Sequence, residues 1–235
     1  MTSLTGLDSS GNFGYISENY KRITNNIGEA AVKYGVSEQI AVVAVTKTVP
    51  PEAVNAAIAC GIRIIGENRV QEYLAKRGFY NINDGTEVHF IGSLQSNKVR
   101  KIIPDAGLIQ SVDSISLAEE INRIAEKNGV MQNILIEVNA GGEETKGGVR
   151  TDRLGELAEK VSALKNLRFK GLMAIPPPYG SEACFAEMQA IFGDMKKSYG
   201  AEILSMGMSN DYEIALKYGA NMVRVGRALF GERLV

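Results

Sequence analysis

The sequence predicts an α/β protein, a single (β/α)8 TIM barrel with an extra N-terminal helix. Eight short apolar segments recur along the chain, each precedes a stretch of helical spacing, and no linker interrupts the series. Parallel strands that are buried on both faces have continuous apolar sequences of this kind. Eight units in about 195 residues favour the closed barrel over an open doubly wound sheet. A dinucleotide-binding sheet would carry Gly-x-Gly-x-x-Gly after its first strand, and no such turn is present.

The first element is the extra helix. Over residues 15–34 the apolar side chains recur at three- and four-residue intervals, which is typical of an amphipathic helix. Residues 1–14 are rich in Ser, Gly and Thr, and we expect them to be flexible. Residues 15–235 are expected to form one domain, because a hydrophobic fraction of 45% is ample for a single core.

The eight strands are predicted where the apolar runs lie, since β-branched residues are frequent in these runs. They cover 41–46, 62–66, 88–92, 108–112, 133–139, 169–175, 203–207 and 222–226. Helices are predicted in the intervals, where the spacing changes. The first of them is entered through Pro50 and Pro51, the second covers 70–77, and the third ends near 103. The others cover 116–128, 152–164, 182–199 and 212–218, and a last turn runs to 230.

The charge and composition exclude several classes of function. The chain has 26 basic and 27 acidic residues, so a broad binding surface for nucleic acid is not expected. A single histidine argues against a histidine-based metal site. No apolar stretch is long enough to cross a membrane, and the N-terminus lacks the features of a signal peptide. We therefore expect a cytoplasmic protein with no nucleic-acid, membrane or metal partner.

The residue that matters most at the strand ends is Lys47. Barrel enzymes place their chemistry where the strands end, and Lys47 directly follows the first predicted strand. Burial and nearby cations lower the pKa of an amine placed there, which suits it to form an imine with a carbonyl compound. The alternative is that the side chain of Lys47 extends to solvent from a loop.

The ends of the last two strands suggest a phosphate site. Ser209 offers a hydroxyl, while Gly226 and Arg227 offer backbone N–H groups at the start of the final turn. Gly207 and Gly226 would let the backbone approach an anion closely, although both could simply form tight turns. A lysine and a phosphate site together match pyridoxal 5′-phosphate (PLP) or a phosphorylated sugar.

Arg224 helps to choose between these ligands. It lies in the eighth predicted strand among Val and Met residues, and a buried arginine needs a partner. The pyridine nitrogen of PLP is one such partner, since an arginine there is a known way to tune the cofactor. An ion pair with Glu137 or Asp113 is the alternative.

Six segments follow one another along about residues 39–231. They are AVVAVTKT (41–48), GENRVQE (66–72), HFIGSLQSNK (89–98), GLMAIP (171–176), LSMGMSND (204–211) and MVRVG (222–226). In this order and at this spacing they resemble a known family, the pyridoxal phosphate homeostasis proteins (the YggS/PROSC family). Six ordered segments make the resemblance far more specific than any one of them.

The resemblance implies a barrel similar to the N-terminal domain of alanine racemase. It also implies that PLP forms a Schiff base with Lys47, that Arg224 faces the pyridine nitrogen, and that Asn68 lies near the 3-hydroxyl of the ring. Ser209, Gly226 and Arg227 would surround the phosphate. Arg227 stands where relatives often carry Thr or Ser, so a hydroxyl contact is lost, and its guanidinium could replace that contact or point outward.

The family is associated with vitamin B6 and amino-acid homeostasis, and the resemblance therefore implies a PLP carrier that supplies PLP-dependent apo-enzymes. A PLP-dependent amino-acid racemase and a Schiff-base aldolase for a sugar phosphate are the alternatives. Alanine racemase takes its second base from another domain, and this chain ends after the eighth unit. We therefore expect a monomer with weak racemase activity at most. The Gly-rich segment 139–149 would be either a loop over the mouth or a solvent loop.

Overall fold

The computed structural model of the protein describes residues 13–82, 85–141, 147–177 and 179–232. Eight parallel strands close into a barrel, in the order β1, β2, β3, β4, β5, β7, β8, β9 and back to β1. The predicted (β/α)8 barrel is therefore confirmed. The strands are β1 (Ala41–Val45), β2 (Ile64–Glu67), β3 (Glu87–Phe90), β4 (Ala106–Val112), β5 (Gln132–Asn139), β6 (Val149–Arg150), β7 (Leu167–Ala174), β8 (Ile203–Met208) and β9 (Met222–Val225).

Eight α-helices lie in the described residues. Pro51 begins α2, where its fixed φ suits the first helical turn, and Gly35 ends α1 in the left-handed conformation with φ 69°. The helices are α1 (Gly14–Tyr34), α2 (Pro51–Ala59), α3 (Val70–Lys76), α4 (Ile115–Asn128), α5 (Leu154–Ala163), α6 (Ser181–Tyr199), α7 (Tyr212–Lys217) and α8 (Arg227–Phe230).

Two features differ from the sequence prediction. The connection after β3 holds a 3-10 helix, Ser96–Lys101, where an α-helix was predicted. Pro104 lies close behind it and cannot continue a helix, so little chain is left for a longer one. The second difference is β6, a pair of residues that adds to β5 outside the barrel. The predicted sixth, seventh and eighth strands are accordingly β7, β8 and β9.

Side chains alternate between the barrel interior and the outer layer, as strand geometry requires. Val43 packs inside with Leu108 and Leu135, whereas Ala44 belongs to the large apolar cluster between strands and helices. The lower interior is therefore apolar. Above this layer the interior is polar, and its buried members are His89, Gln110, Glu137, Ser205 and Arg224.

Helix α1 packs on the outside of the barrel against α2, α7 and α8. Ile16 and Ile23 are buried in this contact, and Asn19 Nδ2 donates to Leu229 O at 3.0 Å. The segment predicted to be flexible, 1–14, lies outside the described residues except for its last two positions, and so do residues 142–146 of the Gly-rich segment. In the part of the chain that the structure describes, no helix is both long and apolar enough to cross a lipid bilayer.

Candidate functional site

Lys47 lies where β1 enters a tight turn, and it is half-buried. Val45 pairs with Gly66 in the neighbouring strand, so Lys47 and Asn68, each two residues further on, lie at the carboxyl ends of adjacent strands. The next residue, Thr48, has φ 61°, a conformation that a β-branched residue rarely adopts. Such a strained turn persists only where the surrounding structure holds it.

Two charged side chains of α3 hold this turn. Lys76 Nζ donates to Thr46 O at 3.0 Å and to Val49 O at 2.9 Å. Glu72 accepts the N–H of Thr48 and forms an ion pair with Lys76 at 2.6 Å. Burial raises the pKa of Glu72, but its bonds with Lys76 and Thr48 outweigh burial and leave the pKa below its usual range. The backbone on both sides of Lys47 is therefore fixed by α3.

A buried carboxylate fixes the residue before Lys47. Thr46 Oγ1 donates to Glu67 Oε1 at 2.7 Å, and the hydroxyl of Tyr80 donates to the same oxygen at 2.6 Å. Thr46 and Glu67 are both fully buried. This cluster lies between the barrel and its helices, so it ties the end of β1 to the end of β2.

Asn68 packs against the connection that follows β3. A Cβ atom at Gly92 would lie 2.1 Å from Asn68 O and 2.8 Å from Asn68 Oδ1. Both distances are too short for a non-bonded contact, so this position requires a glycine. The close approach fixes both the backbone and the side-chain oxygen of Asn68 at the mouth of the barrel.

The structure brings Ser209 and Gly226 together. Ser209 Oγ accepts the N–H of Gly226 at 3.3 Å and the N–H of Ala228 at 3.2 Å. Arg227, between these two amides, is exposed. The structure shows a reason for a glycine at position 207 that is separate from the predicted approach to an anion. It has φ 88°, and a Cβ there would lie 2.6 Å from Cβ of Ala215 in α7.

Arg224 is 4% exposed and points into the barrel, as predicted. Its Nη1 donates to Ser205 O and Ser205 Oγ, and its Nη2 donates to Ala174 O, all at 2.8 Å. Among the described residues it forms no ion pair with Glu137 or Asp113, so that alternative is wrong. Burial lowers the pKa of Arg224 to about 10, against the opposing effect of Glu137, and the guanidinium stays charged at neutral pH. These three bonds leave two of its five N–H groups for other acceptors.

Glu137 is the buried acid of this region. Burial raises its pKa to about 7, the charge of Asp113 adds to the rise, and Arg224 opposes it. In the unfolded chain the carboxyl ionises at its usual, lower pKa. The folded protein therefore loses stability as the pH rises from about 4.5 to about 7, by at most about 3 to 4 kcal/mol at 1.36 kcal/mol per pKa unit.

We expect Glu137→Gln to remove this loss. The variant should gain stability relative to the wild type at pH 8 and show little gain at pH 5, because the wild-type carboxyl is then largely neutral in the folded protein. Urea unfolding at the two pH values measures the difference. Glu18→Gln, at an exposed position of α1, is the control. An equal pH response of the two variants would contradict the assignment of this acid.

Comparison with known proteins identifies the family. The family model "Alanine racemase, N-terminal domain" matches residues 19–234. A pyridoxal phosphate homeostasis protein from Aquifex aeolicus is 43% identical over 92% of this chain and 97% of its own length. The chain belongs to the pyridoxal phosphate homeostasis protein family. The resemblance found in the sequence is thereby confirmed.

Solved structures support the family and its fold. PipY of Synechococcus elongatus, determined with PLP bound, has a TM-score of 0.78 and 31% identity, covering 92% of this chain and 100% of PipY. Alanine racemase from Corynebacterium glutamicum has a TM-score of 0.69 at 14% identity, covering 94% of this chain and 61% of the racemase. The second comparison shows the shared barrel alone, which confirms the predicted likeness to the racemase N-terminal domain.

Sequence reasoning missed the side chains that hold this family's candidate site in place. Glu72 and Lys76 are four residues apart on α3, a spacing that indicates an ion pair but not what it holds. Gln110 and Ser205 are polar residues within apolar strands, and that contrast was the available signal. Ser205 contacts both Arg224 and Gln110.

Proposed function

We propose that this protein binds PLP at the mouth of the barrel and takes part in vitamin B6 homeostasis. The observation that carries the proposal is the 31% identity with PipY, determined with PLP bound, over the whole of that chain. In this proposal the protein is a cytoplasmic monomer that keeps PLP in a bound form from which PLP-dependent apo-enzymes are supplied.

The residues at the mouth suit the chemical groups of PLP. Lys47 is half-buried at the end of a strand adjacent to the one that Asn68 follows, and PLP supplies an aldehyde with which its amine can bond covalently. Arg224 keeps two N–H groups available beyond its three bonds, one of which would face the pyridine nitrogen. Asn68 would lie on the 3-hydroxyl side of the ring, where Gly92 holds it.

The phosphate would bind where β8 and β9 end. Ser209 and the N–H groups of Gly226 and Arg227 lie together there, and neutral donors of this kind bind phosphate oxygens well. Arg227 is exposed, so its guanidinium can add a positive charge at the rim. A phosphate would take over the Gly226 N–H and the Ser209 hydroxyl, which now bond with each other.

We expect Ser209→Ala to weaken PLP binding by about 10- to 150-fold. One hydrogen bond to a charged group is worth about 1.5–3 kcal/mol, and each 1.4 kcal/mol is a factor of ten in the dissociation constant. Titration of the apo-protein with PLP, followed by absorbance, measures this constant. Ser198→Ala, at an exposed position of α6, is the control. An unchanged dissociation constant in a folded Ser209→Ala variant would show that Ser209 only caps the backbone of α8.

A further inference from the structure

A continuous line of hydrogen bonds crosses the barrel interior from Arg224. Arg224 Nη1 contacts Ser205 Oγ at 2.8 Å, and Ser205 Oγ contacts Gln110 Oε1 at 2.7 Å. Gln110 Nε2 lies 3.0 Å from His89 Nδ1, and His89 Nε2 lies 3.2 Å from Glu87 Oε2. The three middle side chains are buried, whereas the side chain of Glu87 is 63% exposed at the amino-terminal end of β3. The line therefore joins the candidate site to the opposite end of the barrel.

The chemistry of the two ends gives the line a direction. Arg224 can only donate, so Ser205 Oγ accepts from it and uses its single proton toward Gln110 Oε1. The amide nitrogen of Gln110 then faces His89 and must donate to Nδ1. The proton of a neutral His89 consequently lies on Nε2, toward the carboxylate of Glu87. The hydrogen bond with His89 lowers the pKa of Glu87, which keeps that acceptor charged.

The opposite orientation of the Gln110 amide is unfavourable. In the present orientation Nε2 also donates to Sδ of Met222 at 3.2 Å. After rotation, the amide oxygen would face this sulfur, and neither atom could donate. Ser205 Oγ would also receive N–H groups from both Gln110 and Arg224, and its own proton would lose its acceptor. A buried polar group without a partner is costly, so one direction is strongly preferred.

We propose that Ser205, Gln110 and His89 are positioning residues for Arg224, joined in a one-way chain of donors that ends on Glu87. Each member is satisfied only if its neighbours keep their orientation, and such buried networks are cooperative. The chain fixes the rotation of the guanidinium, and with it the direction of the N–H groups that remain for a ligand. The consequence for PLP rests on the function proposed above, whereas the tautomer of His89 is a property of the chain without PLP.

The tautomer of His89 tests the chain of donors directly. His89 is the only histidine in the sequence, so tag-free protein labelled with ¹⁵N in the histidine ring contains a single pair of ring nitrogens. We expect proton–nitrogen correlation spectra at neutral pH to show a neutral ring with the proton on Nε2. A proton on Nδ1, in a neutral or a charged ring, would overturn the proposal.

A change at Gln110 should alter the state of a residue outside the PLP site. In Gln110→Glu the second carboxylate oxygen faces Nδ1 and can only accept, so we expect His89 to become protonated on both nitrogens. Gln189→Glu, at an exposed position of α6, is the matched control and should leave the ring neutral. A folded Gln110→Glu variant whose His89 keeps the wild-type tautomer would overturn the proposal.

Binding of PLP then tests the effect on Arg224. We expect Ser205→Ala to weaken PLP binding about tenfold and to change the absorbance spectrum of bound PLP, because one charged hydrogen bond to the guanidinium is lost. Unchanged affinity and spectrum in this variant would overturn the positioning role. If wild-type protein shows the Nε2 tautomer and does not bind PLP, the proposed function fails and the chain of donors stands. If PLP binds and the proton of His89 lies on Nδ1, the proposed function stands and the chain of donors fails.

Discussion

Replacing Lys47 by alanine is expected to abolish covalent attachment of PLP and the yellow colour of the PLP-loaded protein. Lys47 is half-buried at the carboxyl end of β1, next to the strand that Asn68 follows, and α3 holds the backbone on both sides of it. No other side chain is predicted to replace it, because the bond requires an amine at this point. Absorbance after addition of PLP measures the loss.

Borohydride reduction followed by peptide mass spectrometry locates the attachment site. In the wild type we expect PLP on the peptide that contains Lys47. Lys197→Ala removes a lysine that is 82% exposed on α6 and should retain both the colour and the modified peptide. Wild-type protein that stays colourless with excess PLP would contradict the proposed function, and a coloured Lys47→Ala variant would contradict the assignment of Lys47.

The second large effect is expected from Gly92→Ala. The added methyl group would lie 2.1 Å from Asn68 O, and the atoms that it meets belong to the backbone and the short side chain of Asn68. The backbone atoms of Asn68 cannot rotate away, so the connections after β2 and β3 must separate. We expect the free energy of unfolding to fall by about 3 kcal/mol or more, as in severe overpacking.

Urea unfolding measures this effect, and Gly155→Ala provides the matched control. Gly155 lies on α5, and a Cβ there would meet no atom within 4 Å. Alanine is favoured over glycine in a helix, so this variant should gain about 0.5–1 kcal/mol. Equal stability of the Gly92→Ala variant and the wild type would show that the two connections can separate without cost. Weaker PLP binding in a folded Gly92→Ala variant would also support the role proposed for Asn68.

Much of the fold could be predicted because strands and helices have local patterns. The runs that became β1 and β9 are apolar and β-branched, and Pro51 marks the start of α2. The 3-10 helix Ser96–Lys101 escaped prediction because its sequence also suits an α-helix, and the short path to β4 decided between them. The short strand β6 escaped because two residues carry no periodicity.

The positions of the candidate site residues could also be predicted in part. Lys47, Asn68, Ser209 and Gly226 each follow a strand, and parallel strands of a barrel end on the same face. The turn around Lys47 could not be predicted, because Lys76, some thirty positions along the chain, contacts it only after α3 packs on the barrel. The roles of these four residues, Lys47, Asn68, Ser209 and Gly226, toward PLP are proposals.

The sequence by itself determined the order of the elements, the closed barrel and the family, because periodicity, turn residues and the six segments are all local. Only the tertiary structure decided how Arg224 is held. Its acceptors lie 19 residues away on β8 and 50 residues away on β7, and Ser205 reaches Gln110 across 95 residues. These contacts exist only once the strands assemble, since pairing makes β8 and β9 neighbours and closure of the barrel brings β4 and β8 around one interior. No pattern within a single strand carries that information.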